Sequence, residues 1–179
     1  MGTKLTLVLG GARSGKSAYA QSVIENSHQP ALFVATATAG DKEMADRIAT
    51  HRANRPPSWI TLEAPLHVGE AIQTAELTPW VLIDCMTLLA SNVLLSCPEP
   101  IDEALYKKKM KQEVDAILTA YRLHPGQWYI VSNEVGLGLV PSYTLGRYYR
   151  DGLGWANQTL ARAADQVVFM VAGLPTIIK

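Results

Sequence analysis

The sequence predicts an α/β chain built on a mostly parallel sheet with helices on both faces. Three observations carry that reading. Apolar runs at Leu5–Leu9, Ala31–Ala35, Trp80–Ile83, Trp128–Val131 and Val167–Val171 are too short for helices and show no polar alternation, as strands buried on both faces do. Stretches with helical spacing lie between them, the alternation of a parallel sheet. A last run, Thr176–Ile178, follows Gly173 and Pro175 by a link too short for a parallel crossover. It is therefore expected as an antiparallel edge strand.

Each element can be justified in turn. The first strand runs into a glycine-rich turn, Gly10 to Gly15, and then into a helix. After the second strand, Asp41 to Arg52 reads as a helix, with Met44, Ile48 and His51 on one face at steps of four and three. Ser58–Glu63 is expected as a further, more exposed strand. Trp80–Ile83 ends in Asp84 and is followed by an expected helix, Cys85–Leu95. Asp102 is a natural N-cap for a helix carrying Met110, Val114, Ile117, Leu118 and Tyr121 on one face. His124-Pro125-Gly126 stops that helix.

Composition narrows the function. The chain has 179 residues, 48% apolar and 18% charged, which is ordinary globular composition. That length suits one domain, residues 1–179. Sixteen basic and sixteen acidic residues cancel. With no basic excess there is little to drive binding to nucleic acid or an anionic membrane. No run approaches the ~18 apolar residues that a membrane span needs. Cys85 and Cys97 form no CxxC unit and no zinc quartet. They read as reduced thiols of a cytoplasmic protein.

The chemistry begins at Gly10-Gly11-Ala12-Arg13-Ser14-Gly15-Lys16-Ser17, which fits G-x-x-x-x-G-K-[ST] between a strand and a helix. Small residues let backbone N–H groups turn toward phosphate oxygens, and the helix N-terminus adds partial positive charge. Lys16 reaches the outer phosphates, and the Ser17 hydroxyl can ligate Mg²⁺. Asp84, at the end of an apolar strand, is the expected second metal anchor, and it can also cap the next helix. These residues predict a P-loop NTPase.

The subclass is less direct. No Asn-Lys-x-Asp guanine-specificity motif is present. Arg52 with Arg55, and Arg147 with Arg150, could close over phosphates or could be solvated surface. From its helix alone His51 reads first as a core or capping histidine, though a neutral imidazole is also a competent nucleophile toward phosphorus. Asn133 and Glu134 follow a strand end, where ligands bind in such sheets. Glu134 is either a general base or a partner of Arg150.

A longer set of residues carries a resemblance. After the phosphate loop come Ala35-Thr36, Asp41…Glu43-Met44-Ala45…Arg47-Ile48…His51, Arg55-Pro56…Trp59, Ser132-Asn133-Glu134-Val135-Gly136-x-Gly138-x-Val140-Pro141, and Arg150-Asp151…Asn157-Gln158…Ala163-Ala164-Asp165. Over nearly the whole chain this resembles the bifunctional adenosylcobinamide kinase/adenosylcobinamide-phosphate guanylyltransferase family.

The resemblance implies a RecA-like sheet with one antiparallel edge strand. It implies phosphorylation of the aminopropanol hydroxyl of adenosylcobinamide with ATP or GTP, then transfer of GMP from GTP to that phosphate. His51 would carry GMP covalently. Gly10 to Ser17 would hold the triphosphate. Val34, Ala35, Thr36, Arg52, Ala53, Asn54, Glu63 and Asp84 would be nucleotide-contacting positions. A homotrimer is implied as well. Family members often have a histidine where this chain has Thr50, just before the nucleophile. Two other readings fit the phosphate loop alone. One is a small-molecule kinase without nucleotidyl transfer, which would form no protein-bound GMP. The other is a nucleotide-dependent switch, which would bind GTP without turnover.

Overall fold

The computed structural model describes residues 2–38 and 55–179. Seven strands form one sheet: β1 (Lys4–Gly10), β2 (Ala31–Ala35), β3 (Ile60–Glu63), β4 (Trp80–Asp84), β5 (Gln127–Val131), β6 (Gln166–Val171) and β7 (Leu174–Ile177). Their spatial order is β3-β2-β4-β5-β1-β6-β7. All neighbours pair parallel except β6 and β7, where Val168 faces Ile177 and Val171 faces Leu174. The antiparallel tail is therefore present, starting two residues before the expected Thr176. Ala172 and Gly173 take left-handed backbone, at φ 50° and 84°, and turn the chain within two residues.

The described helices are α1 (Lys16–Glu25), α2 (Val68–Thr74), α3 (Met86–Leu95), α4 (Glu103–Leu123) and α5 (Thr144–Ala163). Alternate residues of the inner strands feed two separate cores. Val8, Phe33, Leu82, Tyr129 and Val168 pack with Ala20 and Ile24 of α1. Leu7, Leu32, Val34, Ile83 and Ile130 pack with residues of α2 to α5 on the other face. Both faces are covered, which is why the strand sequences are continuously apolar.

Helix α4 starts as its sequence indicates, with the Asp102 carboxylate accepting from Ala104 N–H at 3.0 Å. It ends at His124, whose carbonyl accepts from the Trp128 indole N–H at 3.1 Å. Helix α5 is harder to read in the sequence because Gly146, Gly152 and Gly154 lower its helix propensity. Packing explains Gly152: a Cβ there would stand 2.5 Å from the Tyr106 ring on α4. Gly69 of α2 is in the same position against the Ala116 backbone, so α2 and α4 approach closely only with glycine there.

Asp165 joins the last parallel strand to the first. Its Oδ2 accepts from Leu5 N–H at 2.7 Å and from the Tyr121 hydroxyl at 3.1 Å. The Leu5 N–H, helped by Tyr121 and Lys4, holds the carboxyl below the usual range. The folded state thus prefers the ionised form. That contribution is complete above the unfolded carboxyl value of about 3.9 and is lost as pH falls through the lower folded value. Because the group is exposed, Asp165→Asn should cost only about 1 kcal/mol at pH 7. Urea unfolding should show the gap from wild type closing below about pH 3.9. A gap that persists undiminished in acid would contradict this.

Candidate functional site

The carboxyl ends of β1, β2, β4 and β5 lie side by side, and the site is assembled there. Gly10 ends β1 at φ 148°, and a Cβ on it would stand 2.6 Å from the Met170 carbonyl. Gly15, at φ 93°, caps α1, and a Cβ there would press on Gly173 Cα at 3.2 Å. These two glycines are required by close approach as well as by backbone conformation. Arg13 also takes left-handed backbone, at φ 57°, with its side chain exposed. Gly11 and Ala12 are exposed, so the loop rim faces outward. The β6–β7 turn braces the loop from behind, since Gly173 N–H donates to Ser14 C=O at 3.0 Å.

Lys16 lies at the mouth of the loop, 7% exposed, and its ammonium donates to Gly11 C=O at 2.6 Å. Burial pulls its pKa down, while neighbouring Cys85 and Asp84 act in the opposite direction. Burial, with Asp84 beside it, pushes the Cys85 thiol up, so this sulfur is not a thiolate nucleophile at neutral pH. Ser17 and Asp84 meet: the Ser17 hydroxyl donates to Asp84 Oδ1 at 3.1 Å. Two residues separated by 67 positions thus put hard oxygen donors together beside the phosphate loop. Among the described residues no cluster of three or more His, Cys, Asp and Glu side chains could hold a metal.

The β2 positions end the strand next to Asp84. Val34 and Thr36 are fully buried and Ala35 nearly so. Val34 packs in the α2–α5 core. The Thr36 hydroxyl donates to Cys85 C=O at 2.7 Å and accepts from Cys85 N–H at 2.8 Å. Thr36 therefore fixes the backbone that follows Asp84. Ala35 pairs with Glu63 on one side and Asp84 on the other. At equal register the two carboxylates stand on the same face of the sheet, the face of α1. Glu63 is exposed. His51, Arg52, Ala53 and Asn54, and the expected helix from Asp41 to Arg52, lie outside the described residues.

The segment after β5 is tied to the phosphate loop. Glu134 N–H donates to Gly10 C=O at 3.0 Å. Asn157 of α5 accepts from the Ser132 hydroxyl at 2.6 Å and donates to Asn133 C=O at 2.9 Å. Asn133 N–H donates to the Thr87 hydroxyl at 3.0 Å. The Glu134 carboxylate accepts from Gly136 N–H at 2.8 Å, while Arg150 pairs loosely with Asp151 at 3.6 Å. The expected alternative of Glu134 holding Arg150 is thus not the arrangement seen. Arg55 stacks on the Phe33 ring, 3.5 Å from its centroid, and Arg147 donates to Pro141 and Ser142 carbonyls before α5. Both have structural work at these positions.

Asn92 and Asn157 are the site residues that pattern reading passed over as such. Asn92 on α3 donates to Thr36 C=O at 2.8 Å and Pro65 C=O at 3.0 Å. Its signal was available, as a lone amide in the apolar helix run Met86–Leu95.

Fold and site together define a P-loop nucleotide-binding protein with a RecA-like sheet. The chain belongs to the family described as cobinamide kinase / cobinamide phosphate guanyltransferase, whose model matches residues 6–178. It is 44% identical to the bifunctional adenosylcobalamin biosynthesis protein CobP of Pseudomonas aeruginosa, over 97% of this chain and 96% of that protein. It is 39% identical to the bifunctional adenosylcobalamin biosynthesis protein CobU of Salmonella typhimurium, over 98% and 99% respectively. CobU of Escherichia coli is 38% identical over the same shares. Among solved structures, the flagellar accessory protein FlaH of Methanocaldococcus jannaschii superposes with a TM-score of 0.56, covering 99% of this chain and 79% of that one. At 11% identity that likeness concerns the fold alone.

Proposed function

We propose that the chain, acting as one nucleotide-binding unit over residues 1–179, phosphorylates adenosylcobinamide with ATP or GTP. It then transfers GMP from GTP to the new phosphate, giving adenosylcobinamide-GDP and pyrophosphate. Family membership supports the reaction pair. The observation that ties it to this chain is the meeting of Ser17 and Asp84 beside Lys16 and the glycine loop.

In the kinase step the acceptor oxygen attacks the γ-phosphorus, and a nucleoside diphosphate leaves. In the transferase step His51 attacks the α-phosphorus in line with departing pyrophosphate. The loop from Gly10 to Ser17 grips the triphosphate in both, and Lys16 stabilises the leaving charge. Val34, Ala35 and Thr36 at the end of β2 are assigned to nucleotide contact, together with Arg52, Ala53, Asn54, Glu63 and Asp84. Ser17 and Asp84 fit Mg²⁺, since both offer oxygen to a hard cation and they already stand within hydrogen-bond distance. When bound there, the ion neutralises phosphate charge.

A cytoplasmic homotrimer completes the proposal. Sedimentation equilibrium should give three times the chain mass. Among the described residues no helix is long and apolar enough to cross a membrane.

The deciding experiment is incubation with α-labelled GTP and Mg²⁺, followed by separate alkaline and acid quenches. Label that stays on the protein in alkali and leaves in acid is the mark of a phosphoramidate. Addition of adenosylcobinamide phosphate should then discharge it. Absence of any protein-bound label would overturn the guanylyl-transfer half of the proposal.

A further inference from the structure

The cleft beside the phosphate loop opens on the α5 side of the sheet, away from the face where Ser17 meets Asp84. It has a volume of about 710 Å³. Leu9, Val140 and Trp155 give it apolar wall, and Arg150 and Gln158 give it polar wall. We propose that this cleft seats the alcohol-bearing, amide-rich arm of the acceptor, and that Glu134 is the general base of the kinase step. The inference rests on the kinase reading above.

Several features converge on Glu134. Its backbone N–H is bonded to Gly10 C=O, so it adjoins the first residue of the phosphate loop. Its side chain lines the cleft. One carboxylate oxygen, Oε1, is fixed by Gly136 N–H at 2.8 Å, and Oε2 has no partner among the described residues. Gly136 leaves room for this contact, since a Cβ there would stand 2.8 Å from Oε1 and push the carboxylate aside. The loop is also held in place by Asn157, which is 4% exposed and bonded at both ends of its amide. A carboxylate oriented through one oxygen, with the other open to a cleft, suits proton abstraction.

The step balances. Glu134 takes the proton of the acceptor hydroxyl while that oxygen forms its bond to the γ-phosphorus. The bond from the γ-phosphorus to the β–γ bridging oxygen breaks, and the nucleoside diphosphate departs with its electron pair. The polar wall then recognises neutral amides near the hydroxyl. Arg150 and Asp151, which share the cleft, are joined to each other and leave it without strong net charge.

The test uses the full chain with adenosylcobinamide and nucleotide. Glu134→Gln should lower kinase kcat by at least 100-fold, in the range of a lost general base, with a much smaller change in nucleotide KM. Glu134→Asp should recover part of the loss. Gln158→Ala, at an exposed cleft position, should raise acceptor KM about fivefold, as one lost hydrogen bond would. Labelling of Glu134→Gln by α-labelled GTP involves no acceptor and reports an intact nucleotide site. Kinase kcat in Glu134→Gln within tenfold of an active wild type would overturn this assignment alone. Loss of GMP labelling in a normally folded Glu134→Gln would also overturn it, placing the residue in nucleotide binding. A wild-type chain that cannot phosphorylate the corrinoid would overturn both this inference and the reading beneath it.

Discussion

Lys16→Ala should abolish both phosphoryl and guanylyl transfer together. The side chain is almost fully buried, with its ammonium donating to Gly11 C=O of the loop. Its charge is held against a desolvation cost, offset in part by the Asp84 carboxylate nearby. Such a group is worth most when charge develops on a leaving phosphate in a site shielded from water. Loss of one such donor typically costs 10²–10³ in turnover, and with the loss of binding the combined effect on kcat/KM should exceed that. Steady-state kinase assays and α-label incorporation on the same preparation check it. Loss of one activity with the other intact would mean that the two reactions use separate nucleotide sites.

His51→Ala should eliminate covalent labelling by α-labelled GTP while phosphorylation of the corrinoid remains measurable. The reason is chemical. Nucleotidyl transfer through the protein needs a nucleophile, whereas direct phosphoryl transfer needs only the acceptor. The imidazole must be neutral to attack, so wild-type labelling should fall as pH drops below about 6.5. Retained label in the mutant, or a flat wild-type profile from pH 5 to 8, would place the nucleophile elsewhere. Cys85 is a poor substitute, because burial and Asp84 keep its thiol protonated.

Much of the architecture was legible because the inner strands are buried on both faces and so read as unbroken apolar runs. The tail was legible for a geometric reason: Ala172 and Gly173 leave no room for a crossover. Helix α5 was not, because its glycines are set by contact with Tyr106 and not by local preference. Helix α2 is short, seven residues with Gly69 among them, and gives little periodic signal. At the site, the phosphate loop and Asp84 were readable as motifs and as joint metal anchors, but the placement of β5 between their strands was not. That depends on sheet order, which no local pattern encodes. The same holds for Thr36. The family resemblance implied a nucleotide contact there, but gave no sign that its hydroxyl is engaged on both sides by the Cys85 backbone.

The bracing of the glycine loop by the β6–β7 turn bears on how the protein is born. Strand β1 leaves the ribosome first, yet both its neighbours, β5 and β6, are made from the last third of the chain. The residues that press on Gly10 and Gly15 arrive later still, at Met170 and Gly173. Such distant pairings form slowly and only when the whole sheet can close. A nascent chain arrested before β6 therefore lacks the pairing and the turn contacts that hold the phosphate loop in shape.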